Sequence, residues 1–416
     1  MSDSLSPPRN EEVIIQIDIV QPIETEHSES QTTLAGYTIK ELNSWEDLDA
    51  KTPLLRGIYA YGFETPSPIQ RKAICPIFDK KDVIAQAQSG TGKTACFTIG
   101  ALQLIDVSRR VPQAILLSPT RELAIQTKVV VDKIGCMFPK LQTQLLVGGT
   151  SVDEDIRLLY EHPPHIVIGC PGRVQDMLKR KKLSSRDLRF FVLDEADEML
   201  SSGFKDQIYN IFQLMPRSIQ VALFSATLPP EVHQLTTRFM REPVEILVKA
   251  EQLTLEGIKQ YYVAIENDEQ KYDTLKDIYG SLSISQSIIY CNSNKRVYDL
   301  YQAMQVDGFP ASQIHSNMDK AERNQSYEDF KNGKTRVLIS SNVTARGIDI
   351  QQVSTVINFD IPNCIHTYLH RIGRSGRWGR KGVGINFVTP RDMRTMKDIE
   401  KHYATEINEL TENWMI

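Results

Sequence analysis

From residue 45 onward the chain alternates short aliphatic runs with longer stretches whose apolar positions recur every three or four residues. The runs at 82–85, 114–118, 165–169, 190–193 and 220–224 are four or five residues long and mostly apolar, which predicts strands buried on both faces. Stretches such as 95–105 and 121–133 between them read as helices. Buried strands separated by helices predict a parallel sheet covered on both sides. The alternation lapses over 241–257, which holds Pro243, several charges and no sustained helical period, the character of an interdomain linker. It resumes with strand-like runs at 287–290, 336–339, 353–358 and 383–388. The fold predicted is α/β, two tandem domains of similar kind joined by a short linker. The domains are set at 41–243 and 258–416, with the linker at 244–257. No short-period repeat is present, which argues against a solenoid.

Residues 1–40 break from this pattern. Ser, Pro and Thr mix there with Asp3, Glu11, Glu12, Asp18, Glu24, Glu26 and Glu29 against Arg9 and the closing Lys40, which predicts a disordered acidic tail. The aliphatic run 13–20 within it reads either as a few solvated side chains or as a short docking motif. Composition narrows the class further. Of 416 residues, 41% are hydrophobic and 24% charged, ordinary globular usage. No stretch approaches the roughly 18 to 20 apolar residues of a membrane helix, and the first thirty residues carry no signal-peptide core. The six cysteines are scattered, with no pair at zinc-ligand or redox-motif spacing, so free thiols in a reducing compartment are expected. A net charge of -4 argues against a chain coated with basic residues and leaves room for a local basic groove. A soluble, intracellular protein is expected.

Chemistry concentrates first at Asp82-Val-Ile-Ala-Gln-Ala-Gln-Ser-Gly-Thr-Gly-Lys-Thr94. A strand there enters a small-residue loop and then a helix. Gly90 and Gly92 allow close backbone approach to phosphates, and the exposed amides at the helix start favour negative charge. Lys93 can reach the terminal phosphates and the Thr94 hydroxyl can hold magnesium. Ala87 stands where the general phosphate-loop pattern has its first glycine. The buried run 190–193 ends in Asp194-Glu195-Ala196-Asp197. An acid at the end of a strand beside such a loop suits a magnesium ligand, with Glu195 placed to polarise a water. The bland alternative, an acidic loop capping the next helix, weakens once the two elements are paired.

The acidic quartet together with Ala87-Gln-Ser-Gly-Thr-Gly-Lys-Thr94 resembles the DEAD-box RNA helicases, and the resemblance runs from about 45 to 405. It implies two RecA-like domains, ATP hydrolysis with magnesium, and local opening of RNA duplexes. Ala87, Gln88, Ser89, Gly90, Thr91, Gly92, Lys93 and Thr94 would hold the phosphates, with Thr94 and Asp194 on the metal, partly through water. Gly62-Phe-Glu-Thr-Pro-Ser-Pro-Ile-Gln70 resembles the adenine-recognition motif: the Gln70 amide matches the N6 and N7 edge of adenine, and Phe63 can stack on the base. Trp45 takes the place of the upstream aromatic, and Asp349 that of the ribose contact. Ser225-Ala226-Thr227 resembles the motif coupling hydrolysis to strand separation. His370-Arg-Ile-Gly-Arg-Ser-Gly-Arg377 brings His370 to that coupling, with Arg374 and Arg377 as arginine fingers delivered when the domains close. Catalysis by implication falls to Lys93, Asp194, Glu195, Arg374 and Arg377.

The same resemblance assigns RNA-backbone contacts to Pro119, Thr120, Arg121, Gly148, Gly149, Pro171, Gly172, Arg173, Ser341 and Gly347. Such contacts carry no base information. The run Lys179-Arg-Lys-Lys182 either extends that groove or is the solvated end of a helix. Departures from the family gather mostly in the second domain: Ser316 and Asn317 in place of Gly-Asp, Lys320 for Gln, Asn342 for Asp, Thr344 for an apolar residue, and His366 for Glu. Cys170 in the first domain replaces Thr and would cost one hydroxyl contact. Within the family the chain resembles the translation initiation factor 4A group and, nearly as well, its nuclear exon-junction paralogue. This implies translation initiation, a helical-repeat scaffold protein as partner, a monomer, and cytoplasmic residence with nuclear residence as the alternative. The alternative functions are an RNA clamp with slow turnover and, more weakly, a DNA translocase.

Overall fold

The computed structural model describes residues 37–87, 90–201, 203–247, 258–281, 284–344, 353–375 and 382–410. The first sheet contains β1 (Val83–Gln86), β2 (Ala114–Leu117), β3 (Thr143–Leu146), β4 (Ile166–Gly169), β5 (Phe190–Asp194), β6 (Gln220–Ser225) and β7 (Val244–Ile246). Its order is β3-β4-β2-β5-β6-β1-β7, parallel throughout. The second sheet contains β8 (Ile258–Ala264), β9 (Ser287–Tyr290), β10 (Ala311–Ile314), β11 (Val337–Ser340), β12 (Thr355–Asn358), β13 (Gly382–Val388) and β14 (Asn408–Glu409). Its order is β10-β11-β9-β12-β13-β8-β14, again parallel. The α/β, tandem-domain expectation is met.

Side-chain alternation along each strand feeds two cores per sheet. In the first domain Phe190 and Val192 enter one core with Val83 and Ala85, while Phe191 and Leu193 enter the other with Ile84. In the second, Ile288 and Tyr290 face one side and Ile289 and Cys291 the other. Strand ends therefore emerge rigidly from a packed interior, with their loops free to carry chemistry.

Two boundaries move. Val244–Ile246, assigned to the linker, is the edge strand β7, in register with β1 through Val83↔Val244 and Ala85↔Ile246. Asp82 ties it down, its backbone oxygen accepting from Val244 N at 2.8 Å and its Oδ2 from Arg241 N at 2.7 Å. Residues 37–40, assigned to the tail, pack on the first domain: Ile39 is buried and the Tyr37 hydroxyl donates to Asp79 at 2.5 Å. The remaining tail, 1–36, and the rest of the expected linker, 248–257, lie outside the described residues. Among the described residues no helix is long and apolar enough to cross a membrane.

Candidate active site

Sheet order dictates where the chemistry meets. The loop after β1 and the acidic quartet after β5 flank the end of β6, because β6 lies between β5 and β1. Ser225-Ala226-Thr227 at that end touches both. Ser225 O accepts from Ala87 N at 3.0 Å, and Ala226 O accepts from the Gln86 side chain at 3.2 Å. Ser225 Oγ accepts from Asp197 N at 3.3 Å, and Thr227 Oγ1 donates to Asp197 Oδ2 at 2.7 Å. Both flanks are thus bonded to one buried tripeptide.

The phosphate loop runs into the helix Lys93–Leu104, whose N-cap Gly92 has φ 102°. A side chain at Gly92 would be strained there, and its Cβ would lie 2.6 Å from Gln70 Nε2. Gln70, 2% exposed, is held at both ends. Its Oε1 accepts from Ser67 N at 2.8 Å in a capping box, and its Nε2 donates to Gly92 O at 3.2 Å. One amide hydrogen and one lone pair remain for an adenine edge. Phe63 is half-buried with Tyr61 against it at 4.7 Å. Trp45 corrects an expectation: fully buried, it stacks behind Phe63 at 6.3 Å. It is thus packed as support behind the Phe63 ring. Gln88, Ser89, Gly347, Asp349 and Arg377 lie outside the described residues.

Lys93 Nζ sits 3.3 Å from Glu195 Oε1, both side chains buried. Glu195 has φ 55°, a left-handed backbone that costs a non-glycine residue about 1–3 kcal/mol and persists where surrounding structure enforces it. Burial, reinforced by the Glu195 charge and opposed by Lys93, pushes the Asp194 carboxyl up to about 7. Its Oδ1 is buried with no hydrogen-bond partner among the described residues.

The second domain completes this centre. The helix Ile365–Ile372 presents His370, whose Nε2 lies 3.0 Å from Asp197 Oδ2 and whose Nδ1 lies 3.9 Å from Glu195 Oε2. Arg374, on the next turn, is buried and donates from Nε to His370 O at 3.2 Å. Thr227, Asp197 and His370 thus form one buried chain across the cleft. The neighbouring Arg371 explains how the helix is held. Its guanidinium, fully buried, donates to Asn342 Oδ1 twice (2.9 and 2.6 Å), to Asn358 Oδ1, to Asn292 Oδ1 and to Asp360 O. Asn342, one of the departures, is therefore a principal acceptor for a buried cation, and burial lowers the Arg371 pKa to about 10. Ser316 and Asn317 are likewise knitted in, both accepting from Asn294 Nδ2 at 2.7 and 3.0 Å.

The three first-domain segments expected to meet RNA are brought together, and their arginines bond to protein groups. Arg121 Nη1 donates to Gly148 O at 3.2 Å. Arg173 pairs with Asp155 and donates to Thr150 Oγ1 and O at 2.9 and 2.8 Å. Arg121 thus braces the exposed Gly148-Gly149 turn, where Gly149 has φ 78°; Arg173, expected to meet phosphate, is bonded to Thr150 just after the turn and to Asp155. Thr120 Oγ1 caps its helix by accepting from Leu123 N. Cys170 N-caps the helix Pro171–Lys179 with no side-chain cap bond, which is what the lost hydroxyl costs here. Pro119 is buried and Gly172 half-buried. In the second domain Ser341 Oγ is buried without a partner among the described residues. Sequence reading missed a second bridge, Arg323 Nη2 to Glu122 Oε2 at 2.8 Å. Its partners stand 201 positions apart, with nothing local to announce the pairing.

The chain matches the family models for the DEAD/DEAH box helicase over residues 67–235 and for the helicase conserved C-terminal domain over 270–379. It is 53% identical over 371 residues to an ATP-dependent RNA helicase eIF4A of Aspergillus clavatus, covering 89% of this chain and 93% of that one. It is 51% identical over 375 residues to eukaryotic initiation factor 4A-III homolog A of Oryza sativa, covering 90% and 92%. Its fold is similar to S. cerevisiae Dbp5 bound to RNA and ADP BeF3, with TM-score 0.83, 36% identity, and 90% and 97% of the two chains covered. Mss116p bound to ssRNA and AMP-PNP gives TM-score 0.82 at 28% identity, covering 90% and 80%. With the phosphate loop, the acidic quartet and the cross-cleft histidine assembled on two parallel sheets, the chain belongs to the DEAD-box ATP-dependent RNA helicases, which hydrolyse ATP.

Proposed function

We propose that this helicase works in translation initiation, opening short RNA duplexes by closing its two domains over one strand. The observation that carries this reading is the buried chain Thr227–Asp197–His370, which exists only when the second domain lies against the first. In this reading Lys93 holds the terminal phosphate until Glu195, released from it, orients the attacking water. Gln70 and Phe63 select adenine and Asp349 meets the ribose. Arg374 and Arg377 stabilise charge on the transferred phosphoryl group.

Magnesium suits the site. A buried Asp194 oxygen without a partner and the Thr94 hydroxyl at the second helical position offer the hard oxygen ligands it requires. Bound there, it would offset phosphate charge. For RNA, the exposed glycine turn at 148–149, the helix starts at Thr120 and Gly172, and Ser341 supply amides and a hydroxyl for phosphate and ribose oxygens. Closure grips one strand and bends it, and hydrolysis reopens the cleft. The similarity to a relative named eIF4A supports translation initiation; a helical-repeat scaffold partner, a monomeric state and cytoplasmic residence belong to the same proposal.

Near-equal similarity to a 4A-III protein supports a second reading, an RNA clamp with slow turnover. ATP hydrolysis measured with matched RNA and DNA strands, alongside duplex unwinding, separates the readings. RNA-selective stimulation with unwinding is expected. ATP-dependent retention of RNA without unwinding would favour the clamp, and equal stimulation by DNA would refute both.

A further inference from the structure

The two domains meet at a place the ATP chemistry does not use. The helix Arg121–Ile134 of the first domain lies against the helix Lys320–Lys331 of the second. Besides the Arg323–Glu122 ion pair, Gln126 Nε2 donates to Tyr327 Oη at 3.1 Å. Gln126 follows Glu122 by four residues and Tyr327 follows Arg323 by four. The helices therefore run in the same sense, with the two bonds one turn, about 5–6 Å, apart. A single ion pair fixes a distance and leaves a pivot. A second bond one turn away removes rotation about it, and the His370–Asp197 bond supplies a third fixed point.

Tyr327 is held by its own domain: its ring packs against the core containing Tyr290 and Leu338, and Lys331 Nζ lies 5.8 Å from the ring centroid. Its hydroxyl is thus aimed before the domains meet. On the opposite side, Gln126 sits on the helix whose first residue, Arg121, braces the Gly148 turn. The contact therefore links the RNA-facing edge of the first domain to the orientation of the second.

We propose that Tyr327 is a positioning residue for closure, its hydroxyl accepting from Gln126 to set the rotation at which His370 and Arg374 reach the first domain. The inference rests on the RNA- and ATP-driven closure proposed above. Tyr327→Phe keeps the ring and removes the hydroxyl that accepts from Gln126.

The test uses the full chain labelled at its exposed cysteines, Cys136 in the first domain and Cys364 in the second. Energy transfer is followed on adding single-stranded RNA with ADP and beryllium fluoride. Tyr327→Phe should require about 3- to 10-fold more RNA for half-closure, as loss of one neutral hydrogen bond implies. The RNA KM for ATP hydrolysis should rise in parallel, with the unfolding temperature of the unliganded protein unchanged. Gln126→Leu should give the same loss, and the double variant no further loss. Closure of Tyr327→Phe at the wild-type RNA concentration, or losses that add, would overturn the proposal. Failure of the wild-type protein to close with RNA would instead overturn the closure reading itself.

Discussion

Asp194 is the residue at which this active site stands most directly against stability. It is buried beside Glu195, with Asp197 close by and Lys93 as the compensating cation. Its carboxyl is pushed from an ordinary value near 4 up to about 7, burial being the larger cause and the Glu195 charge the next. The folded protein therefore keeps a proton on Asp194 that the unfolded chain has released between about pH 4 and 7. Linkage sets the sign: where the native state binds the extra proton, stability falls as pH rises. A displacement of about three pH units is worth about 4 kcal/mol, reached in full above pH 7. Asp194→Asn removes the charge in a side chain of the same shape. Without nucleotide it should be more stable than wild type at pH 8 by up to about 4 kcal/mol, and ATP hydrolysis should be lost. The gap should close as pH is lowered towards 4.5. Thermal unfolding of both proteins from pH 4.5 to 8.5 reads this directly. Equal stability at pH 8, or a gap that does not change with pH, would refute the reasoning.

Three further outcomes follow from the same geometry. Glu195→Gln should still close on RNA with ATP while turnover falls by about 10²–10⁴, the usual contribution of a positioned base; unchanged turnover in a steady-state assay would remove Glu195 from that role. Cys170→Thr supplies the missing cap of the helix Pro171–Lys179 and should stabilise the first domain by about 1 kcal/mol, a rise of about 2–4 °C by calorimetry. Asn342→Ala strips the shared acceptor of two Arg371 donors and should cost about 3 kcal/mol in urea unfolding, because a buried charged donor is left unpaired. A loss below about 0.5 kcal/mol would mean that another acceptor replaces it.

The interior of each sheet was legible in the sequence, and the edges were not. Strands β1, β2, β4, β5, β6, β9, β11, β12 and β13 are flanked on both sides, so their residues must be apolar almost throughout and stand out as aliphatic runs. Edge strands meet solvent on one side and mix polar residues in: Thr143 and Gln144 in β3, Ser312 and Gln313 in β10, Glu245 in β7. β8, with Lys259 and Gln260, is next to a two-residue edge and reads the same way. The loop residues expected to face nucleotide were legible in the sequence because phosphate chemistry demands particular side chains at fixed spacing. The roles of Arg173 and Arg121 were not, since a guanidinium suited to phosphate is equally suited to Asp155 or a carbonyl. Nor was the Glu122–Arg323 bridge, whose meaning exists only once two distant helices are side by side.

In the proposed function the second domain completes the first through His370. ATP hydrolysis with and without single-stranded RNA, for wild type and His370→Ala, tests this most directly. Strong stimulation by RNA in the wild type, abolished in His370→Ala with the RNA-independent rate retained, is the predicted result. RNA stimulation that survives in His370→Ala would contradict the claim that closure across the Asp197–His370 contact couples RNA to hydrolysis.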